Sequence, residues 1–145
     1  LLAARLRGES WRCVLLLSDG ELNEGSNWEA LMFAAHHRLS QLTVVVDANG
    51  LQSLTTTAET LDLGDLATKF AAFGCAVAEV DGHDHAALRG ALLAPLPEGE
   101  SRPRVVIART VKGRGVSFME NEVAWHYRSP SDAQLAQALQ EIGDA

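Results

Sequence analysis

Two continuously apolar segments, Val14–Leu17 and Leu42–Val46, constrain the fold of this chain more than any other feature. A helical pattern from Asn27 to Arg38 lies between them. Runs that are apolar throughout, and do not alternate with polar residues, are typical of parallel strands buried on both faces of a sheet. The sequence therefore predicts an α/β fold, in which a mostly parallel sheet carries helices on both faces.

Polar residues follow each of these two predicted strands. Ser18-Asp19-Gly20 comes after the first, and Asp47-Ala48-Asn49-Gly50 after the second. Ligands of such folds bind beyond the carboxyl ends of the strands, and neighbouring strands lie about 5 Å apart. We therefore expect Asp19 and Asn49 to face one small ligand together. The alternative is that Asp19-Gly20 and Asn49-Gly50 form two ordinary turns.

A hard cation that carries phosphates suits these residue types. Mg²⁺ prefers oxygen ligands in an octahedron at about 2.0–2.1 Å, with few protein groups and the rest from phosphate or water. One carboxylate, one amide oxygen and one backbone carbonyl meet that demand. Gly20 has no Cβ and lets the backbone come close to a phosphate.

Three longer blocks identify a family resemblance. They are SDGELNEGSNWEALMFAAHHRLSQLTVVVDANGLQS from Ser18, DGHD at Asp81–Asp84, and TVKGRGVSFMENEVAWH at Thr110–His126. Asp19-Gly20 followed by Asn49 resembles the thiamine diphosphate signature, and the three blocks in this order resemble the N-terminal section of transketolase. The likeness is strongest to the type that is encoded as two separate subunits, and it covers nearly the whole chain.

The resemblance implies a cofactor and the residues that hold it. Thiamine diphosphate and Mg²⁺ would serve the transfer of a two-carbon ketol unit from a ketose phosphate to an aldose phosphate. Asp19, Asn49 and the backbone carbonyl of Leu51 would bind the metal. Gly20 and Glu21 would contact the cofactor.

Two further residues take roles from the same likeness. His126 would contact the cofactor diphosphate and the substrate, and Glu24 would join a proton network between two active sites at a subunit interface. A structural histidine and a solvated loop acid are the alternatives. Ser18 and Tyr127 stand where the family usually has glycine.

The resemblance also implies that the chain is incomplete as an enzyme. Residues 1–145 would form one diphosphate-binding domain from which an upstream segment is missing. A C-terminal transketolase section or subunit would bind the pyrimidine ring of the cofactor. The assembly would be a dimer or a heterotetramer. A related thiamine enzyme such as deoxyxylulose-phosphate synthase, or a non-catalytic binding remnant, are the alternatives.

Composition limits the other classes of function. The net charge of −7 argues against nucleic acid as a partner, and no apolar run approaches the roughly 20 residues of a membrane span. Cys13 and Cys75 lie beside apolar segments, which predicts buried free thiols and suits a reducing cytoplasm.

The remaining segments predict further helices and loops. Trp28, Leu31, Met32, Ala35 and Leu39 share one predicted buried helix face, with Ser26 or Asn27 as its cap. Asp81–His85 is predicted to be a turn in which Asp84 caps a helix, with a transition-metal site as the alternative. Thr110–Gly115 is a basic loop near the mouth of the site by resemblance. A final helix opens at Ser131, with Leu135, Leu139 and Ile142 on one face.

Overall fold

Four parallel strands form one sheet in the computed structural model, which describes residues 1–95 and 97–143. The strands, in chain order, are β1 (Cys13–Ser18), β2 (Leu42–Ala48), β3 (Ala76–Asp81) and β4 (Arg104–Arg109). Their spatial order is β1-β2-β4-β3, and every neighbouring pair is parallel. The predicted α/β fold with a parallel sheet is confirmed.

Helices connect these strands. The helices of the described residues are α1 (Leu2–Leu6), α2 (Gly25–His36), α3 (Thr57–Leu61), α4 (Leu66–Ala72), α5 (His85–Leu93) and α6 (Asp132–Gly143), with 3₁₀ turns at Gly20–Asn23 and Val123–His126. Of these helices, α3, α4 and α5 begin at a side-chain cap. Asp84 accepts hydrogen bonds from the amides of Ala86 and Ala87, which confirms its predicted role as the cap of α5. Asp65 caps α4 in the same way.

The start of α2 differs from the prediction. The helix begins at Gly25, and neither Ser26 nor Asn27 caps it, because Glu24 occupies the cap position without a side-chain bond. The side-chain amide of Asn27 instead donates to the carbonyl of Glu21 at 2.6 Å. The predicted caps are wrong because this side chain holds the preceding 3₁₀ turn against the helix.

Both faces of the sheet carry a helix. On one face, Val44, Val46, Val105 and Ile107 pack in the core cluster with side chains of α2 and α4, including Leu31, Leu66 and Phe70. Val106 points to the opposite face, where it is fully buried. Arg104, on that same face, donates to the carbonyls of Ala91, Leu92 and Ala94 at the end of α5. These three bonds hold α5 over the second face.

The strand β1 is much more exposed than its apolar sequence predicts. Val14 is 63% exposed and Leu16 is 68% exposed, and of the residues in β1 only Leu17 is buried. The expectation of a strand buried on both faces is wrong here, because β1 lies at the edge of the sheet and pairs only with β2 among the described residues. Cys13 is therefore exposed, contrary to the prediction, whereas Cys75 is buried and its burial raises the pKa of the thiol to about 11.

Two helices also present apolar side chains to solvent. Met32 of α2 is exposed, so the predicted buried face of that helix is smaller than expected. Leu135, Leu139 and Ile142 share one exposed face of α6, which packs through Ala138 instead. In the part of the chain that the structure describes, no helix is long and apolar enough to cross a membrane.

An exposed apolar edge strand predicts self-association of the isolated chain. Replacing Leu16 with lysine should reduce association while changing the free energy of unfolding by about 0.5 kcal/mol or less, as expected for an exposed position. Sedimentation velocity over a range of concentrations and thermal unfolding followed by circular dichroism measure the two effects.

Val44→Lys is the matched control, since Val44 is 1% exposed in the adjacent strand. An unpaired charge buried there should prevent folding. If Leu16→Lys and Val44→Lys destabilised the fold equally, or if Leu16→Lys left association unchanged, the result would contradict the exposure of β1.

Candidate functional site

Three strands end together at the carboxyl edge of the sheet. Asp19 follows β1, Asn49 lies just beyond β2, and Thr110 follows β4. The parallel ladder continues past the strands, because the amide of Asp19 donates to the carbonyl of Asp47 at 3.1 Å. Loops that leave the sheet in register place their first side chains side by side, as the sequence predicts for Asp19 and Asn49.

The carboxylate of Asp19 joins the two loops. Oδ1 accepts a hydrogen bond from the amide of Gly20 at 2.8 Å, and Oδ2 accepts one from the amide of Gly50 at 2.6 Å. Asp19 is only 3% exposed. Burial raises its pKa, the two backbone amides oppose that shift, and the nearby charge of Asp47 raises the pKa further. The negative charge is therefore incompletely compensated, and a bound cation would stabilise it.

Asn49 stands between two cavities. With Asp19 and Gly50 it lines a cavity of about 210 Å³ that also borders Asp62 and Arg109. It further lines a more open cavity of about 500 Å³ on the side of β3 and β4. Its side-chain oxygen accepts the amide of Leu51 at 2.9 Å, which leaves one lone pair of that oxygen for a ligand.

Leu51 lies close to Asp19 and Asn49 in the chain fold, but its backbone pairs with a neighbouring segment of its own loop. It forms an isolated bridge with Thr56, while the amide of its neighbour Gln52 donates to the carbonyl of Thr55 at 2.9 Å. The described lining of the two cavities does not include Leu51. The role of its carbonyl as a metal ligand therefore stays a prediction.

The loop after β1 is closely packed. A Cβ added to Gly20 would lie 3.1 Å from the Cβ of Gln52, so a side chain at this position would press on the next loop. The carboxylate of Glu21 accepts hydrogen bonds from both the amide and the hydroxyl of Ser18, at 2.9 and 3.2 Å. The serine that replaces the usual glycine thus has a partner, and Glu21 turns back toward the end of β1.

Glu24 and His126, the two predicted catalytic residues, are both exposed. Glu24 precedes α2, and His126 ends the 3₁₀ turn Val123–His126. The hydroxyl of Tyr127 donates to the carbonyl of Ser53, which ties this turn to the loop that follows Leu51. The His126 ring lies 5.0 Å from the Tyr127 ring, centroid to centroid. Among the described residues, His126 does not line either cavity.

The larger cavity brings together two segments that the sequence analysis considered separately, the basic loop Thr110–Gly115 and the turn Asp81–His85. Thr110 donates its hydroxyl to the carboxylate of Asp47, and His83 accepts the amide of Val111 at 2.7 Å. Lys112 and Arg114 complete its basic side. The sequence signal that places Thr110 at the site is its position directly after a strand, β4, which is the neighbour of β2.

The residues at this edge offer a cation a mixed set of oxygen donors. No group of three or more His, Cys, Asp or Glu side chains that could hold a metal ion occurs within residues 1–95 and 97–143. The transition-metal alternative at Asp81–His85 thus gains no support. Asp19 and Asn49 supply a buried carboxylate and an amide oxygen, a donor set that fits Mg²⁺ with its other ligands from water or phosphate.

Comparison with known proteins gives a consistent result. Residues 10–144 match the family model described as transketolase, thiamine diphosphate binding domain. The chain is 39% identical over 143 residues to one of the subunits of apulose-4-phosphate transketolase of Actinobacillus succinogenes, covering 99% of this chain and 51% of that protein. It is 34% identical over 133 residues to transketolase of Homo sapiens, covering 92% of this chain and 21% of that protein.

A solved structure agrees in fold. The crystal structure of transketolase from Campylobacter jejuni superposes with a TM-score of 0.84 at 23% identity, over 93% of this chain and 21% of that one. The chain spans about half the length of the two apulose-4-phosphate transketolase subunits it matches, with 51% of one and 50% of the other covered.

Asp19→Asn should weaken divalent cation binding about 10- to 100-fold, because it removes a charged ligand from a buried position. Mn²⁺ in place of Mg²⁺ allows the affinity to be read from paramagnetic broadening of the Gly20 and Gly50 amide signals. Asp62→Asn is the matched control, since Asp62 lines the same cavity but is exposed, whereas Asp19 is buried. Equal losses in both variants would refute a specific role for Asp19.

Proposed function

This chain belongs to the transketolase thiamine diphosphate-binding domain family, and we propose that it is the diphosphate-binding part of a two-subunit transketolase. The proposed reaction transfers a two-carbon ketol unit from a ketose phosphate to an aldose phosphate. The observation that carries the proposal is the convergence of Asp19 and Asn49 on one cavity at the carboxyl edge of the sheet. Two relatives are named as single subunits of a transketolase, which supports the division between two chains.

In this proposal, the protein holds the charged end of the cofactor. Thiamine diphosphate, when bound, would supply the electron-withdrawing chemistry that ketol transfer requires. Asp19, Asn49 and the carbonyl of Leu51 hold Mg²⁺, and the backbone at Gly20 approaches the diphosphate. The carboxylate of Glu21 already accepts hydrogen bonds from Ser18. Glu21 would therefore act on the cofactor indirectly, by shaping the loop that contacts it.

Local positive charges would allow this acidic protein to bind a diphosphate. The chain has a net charge of −7, so its overall field repels a diphosphate. Lys112 and Arg114 border the larger cavity next to Asn49 and supply positive charge there. The metal and these two cations together would offset the phosphate charge at short range.

A partner is required for the remaining chemistry. The bound cofactor would need a carboxyl side chain beside its aminopyrimidine ring to activate that ring, in a site from which water is excluded. Asp19 and Asp47 lie at the diphosphate edge, and Glu24 is exposed on the loop before α2. We assign the pyrimidine contacts, and the interface role of Glu24, to assembly with a pyrimidine-binding subunit.

The isolated chain should therefore show no ketol transfer and only weak cofactor binding. A coupled assay with a ketose phosphate donor and an aldose phosphate acceptor should detect turnover only after a pyrimidine-binding partner is added. Asp19→Asn mixed with the same partner is the control for trace contaminating enzyme. Turnover that is proportional to the concentration of the purified isolated chain would contradict the proposal.

His126 should affect activity without affecting stability. Because its side chain is exposed, His126→Gln should leave the melting temperature of the chain unchanged while lowering turnover per assembled site about 10-fold or more, a typical effect of losing a charge-assisted contact. Thermal unfolding and the coupled assay measure the two quantities. Normal turnover per site combined with poor assembly would show that the role of His126 is structural.

A further inference from the structure

We propose that His83 is a positioning residue that holds the segment Thr110–Arg114, and Lys112 in particular, against the cavity that receives a phosphate-bearing ligand. The proposal rests on the proposed function and deepens it, since it assigns the anion-binding side of that site to the larger cavity, which adjoins the Asp19 cavity at Asn49. His83 does not itself carry positive charge to the ligand in this arrangement. It acts through the backbone of the segment that carries Lys112 and Arg114.

Two loops come into direct contact at this point. β3 and β4 are parallel neighbours with Asp81 opposite Arg109, so the loops that follow them leave the sheet side by side. The amide of Gly82 donates to the carbonyl of Arg109 at 2.7 Å. A Cβ on Gly82 would lie 2.4 Å from the Cγ2 of Thr110, so only glycine allows this approach.

This approach brings the His83 ring to the backbone of the neighbouring loop. The amide of His83 donates to Oδ1 of Asp81 at 2.8 Å, which orients the residue in the turn. The amide of Val111 then donates to Nε2 of His83 at 2.7 Å. On the other side, Thr110 donates its hydroxyl to the carboxylate of Asp47. Thr110 is therefore tied to β2 and the next residue, Val111, to the turn that follows β3.

The segment beyond these ties is also constrained. The carbonyl of Lys112 accepts the amide of Asn121 at 3.0 Å. Gly113 has a φ of +75°, and a Cβ there would lie 2.5 Å from the carbonyl oxygen of Met119. Lys112 thus lies between a side-chain tie at Val111 and a backbone position that only glycine accepts without strain. Of the contacts made by Val111 and Lys112, the one with His83 uses a side chain and the one with Asn121 uses only backbone atoms, so a substitution at His83 can remove the first alone.

The hydrogen bond from the Val111 amide specifies which nitrogen of the His83 ring carries a proton. A ring nitrogen that accepts a hydrogen bond carries no proton, so Nδ1 of His83 carries the proton of the neutral ring. Glutamine can present a carbonyl oxygen at a similar distance from the backbone, and leucine has a similar size without an acceptor. His83→Gln and His83→Leu therefore separate the hydrogen bond from the volume of the side chain.

The experiment uses the chain labelled with ¹⁵N and inorganic pyrophosphate as the probe. We expect His83 to show the shifts of the tautomer protonated at Nδ1 and the Val111 amide to exchange slowly with solvent. Binding of pyrophosphate is followed at the amides of Lys112 and Gly113. His83→Leu should speed exchange at Val111 and weaken pyrophosphate binding about 2- to 10-fold, the range expected for one lost hydrogen bond.

Two variants serve as controls. His83→Gln should keep both properties close to those of the original chain, and so should His85→Leu, because His85 is exposed at the start of α5. Unchanged pyrophosphate affinity in His83→Leu, a loss in His83→Gln equal to that in His83→Leu, or no pyrophosphate binding by the original chain would each overturn the proposal. If His83→Leu does not fold, the comparison between His83→Gln and the original chain decides.

These measurements are independent of ketol transfer. Failure of the proposed function would appear as absent turnover in the mixture with a pyrimidine-binding partner, whereas the ring tautomer and the Val111 exchange are measured on the chain alone. A correct tautomer with normal rescue by glutamine would support the positioning role even if the assembled protein transferred a different group.

Discussion

The candidate site depends on one buried carboxylate that holds two loops together. Asp19 accepts the amides of Gly20 and Gly50, which belong to the loops after β1 and β2. Without this bridge, the loops would follow their own strands, and Asn49 would have no fixed distance from the first loop. Because burial raises the pKa of Asp19, the same carboxylate that organises the edge also favours a cation there. In the proposed metal site, the loop structure and the binding of a cation would thus depend on the same two oxygen atoms.

A second set of contacts builds the opposite side of the site. Thr110 and Val111 are held by Asp47 and His83, so the basic residues Lys112 and Arg114 follow a fixed segment of backbone. The acidic side and the basic side meet at Asn49, which lines both cavities. A negatively charged ligand that carries a divalent cation needs both kinds of surface close together. This separation of charge explains how an acidic chain can suit a diphosphate.

The two departures from the family pattern have structural partners. Ser18 donates to Glu21, and Tyr127 donates to the carbonyl of Ser53. The first contact lies within the turn that follows β1 and the second links two loops, and neither Ser18 nor Tyr127 belongs to the described lining of the two cavities. They therefore give no support to the alternative of a catalytically inactive remnant. The exposed apolar surfaces of β1 and α6 are a further feature of the isolated chain that assembly with a partner would address.

The sequence by itself determined the order of the elements and the residue types at the carboxyl edge of the sheet. Apolar runs and helix caps such as Asp84 are local signals, because they depend on side-chain periodicity and on hydrogen bonds within a few residues. The apolar runs also predict that Asp19 and Asn49 lie together, since the carboxyl ends of parallel strands lie at one edge of the sheet. The family resemblance added the cofactor, which periodicity alone does not specify.

Only the tertiary structure decided what lies beside those residues. The apolar sequence of β1 predicts burial, yet its edge position leaves Val14 and Leu16 exposed, because burial depends on neighbours from distant parts of the chain. The contacts of Thr110 with Asp47 and of Val111 with His83 join residues 63 and 28 positions apart. No local pattern encodes such pairs, since they follow from the strand order β1-β2-β4-β3, which places β4 between β2 and β3.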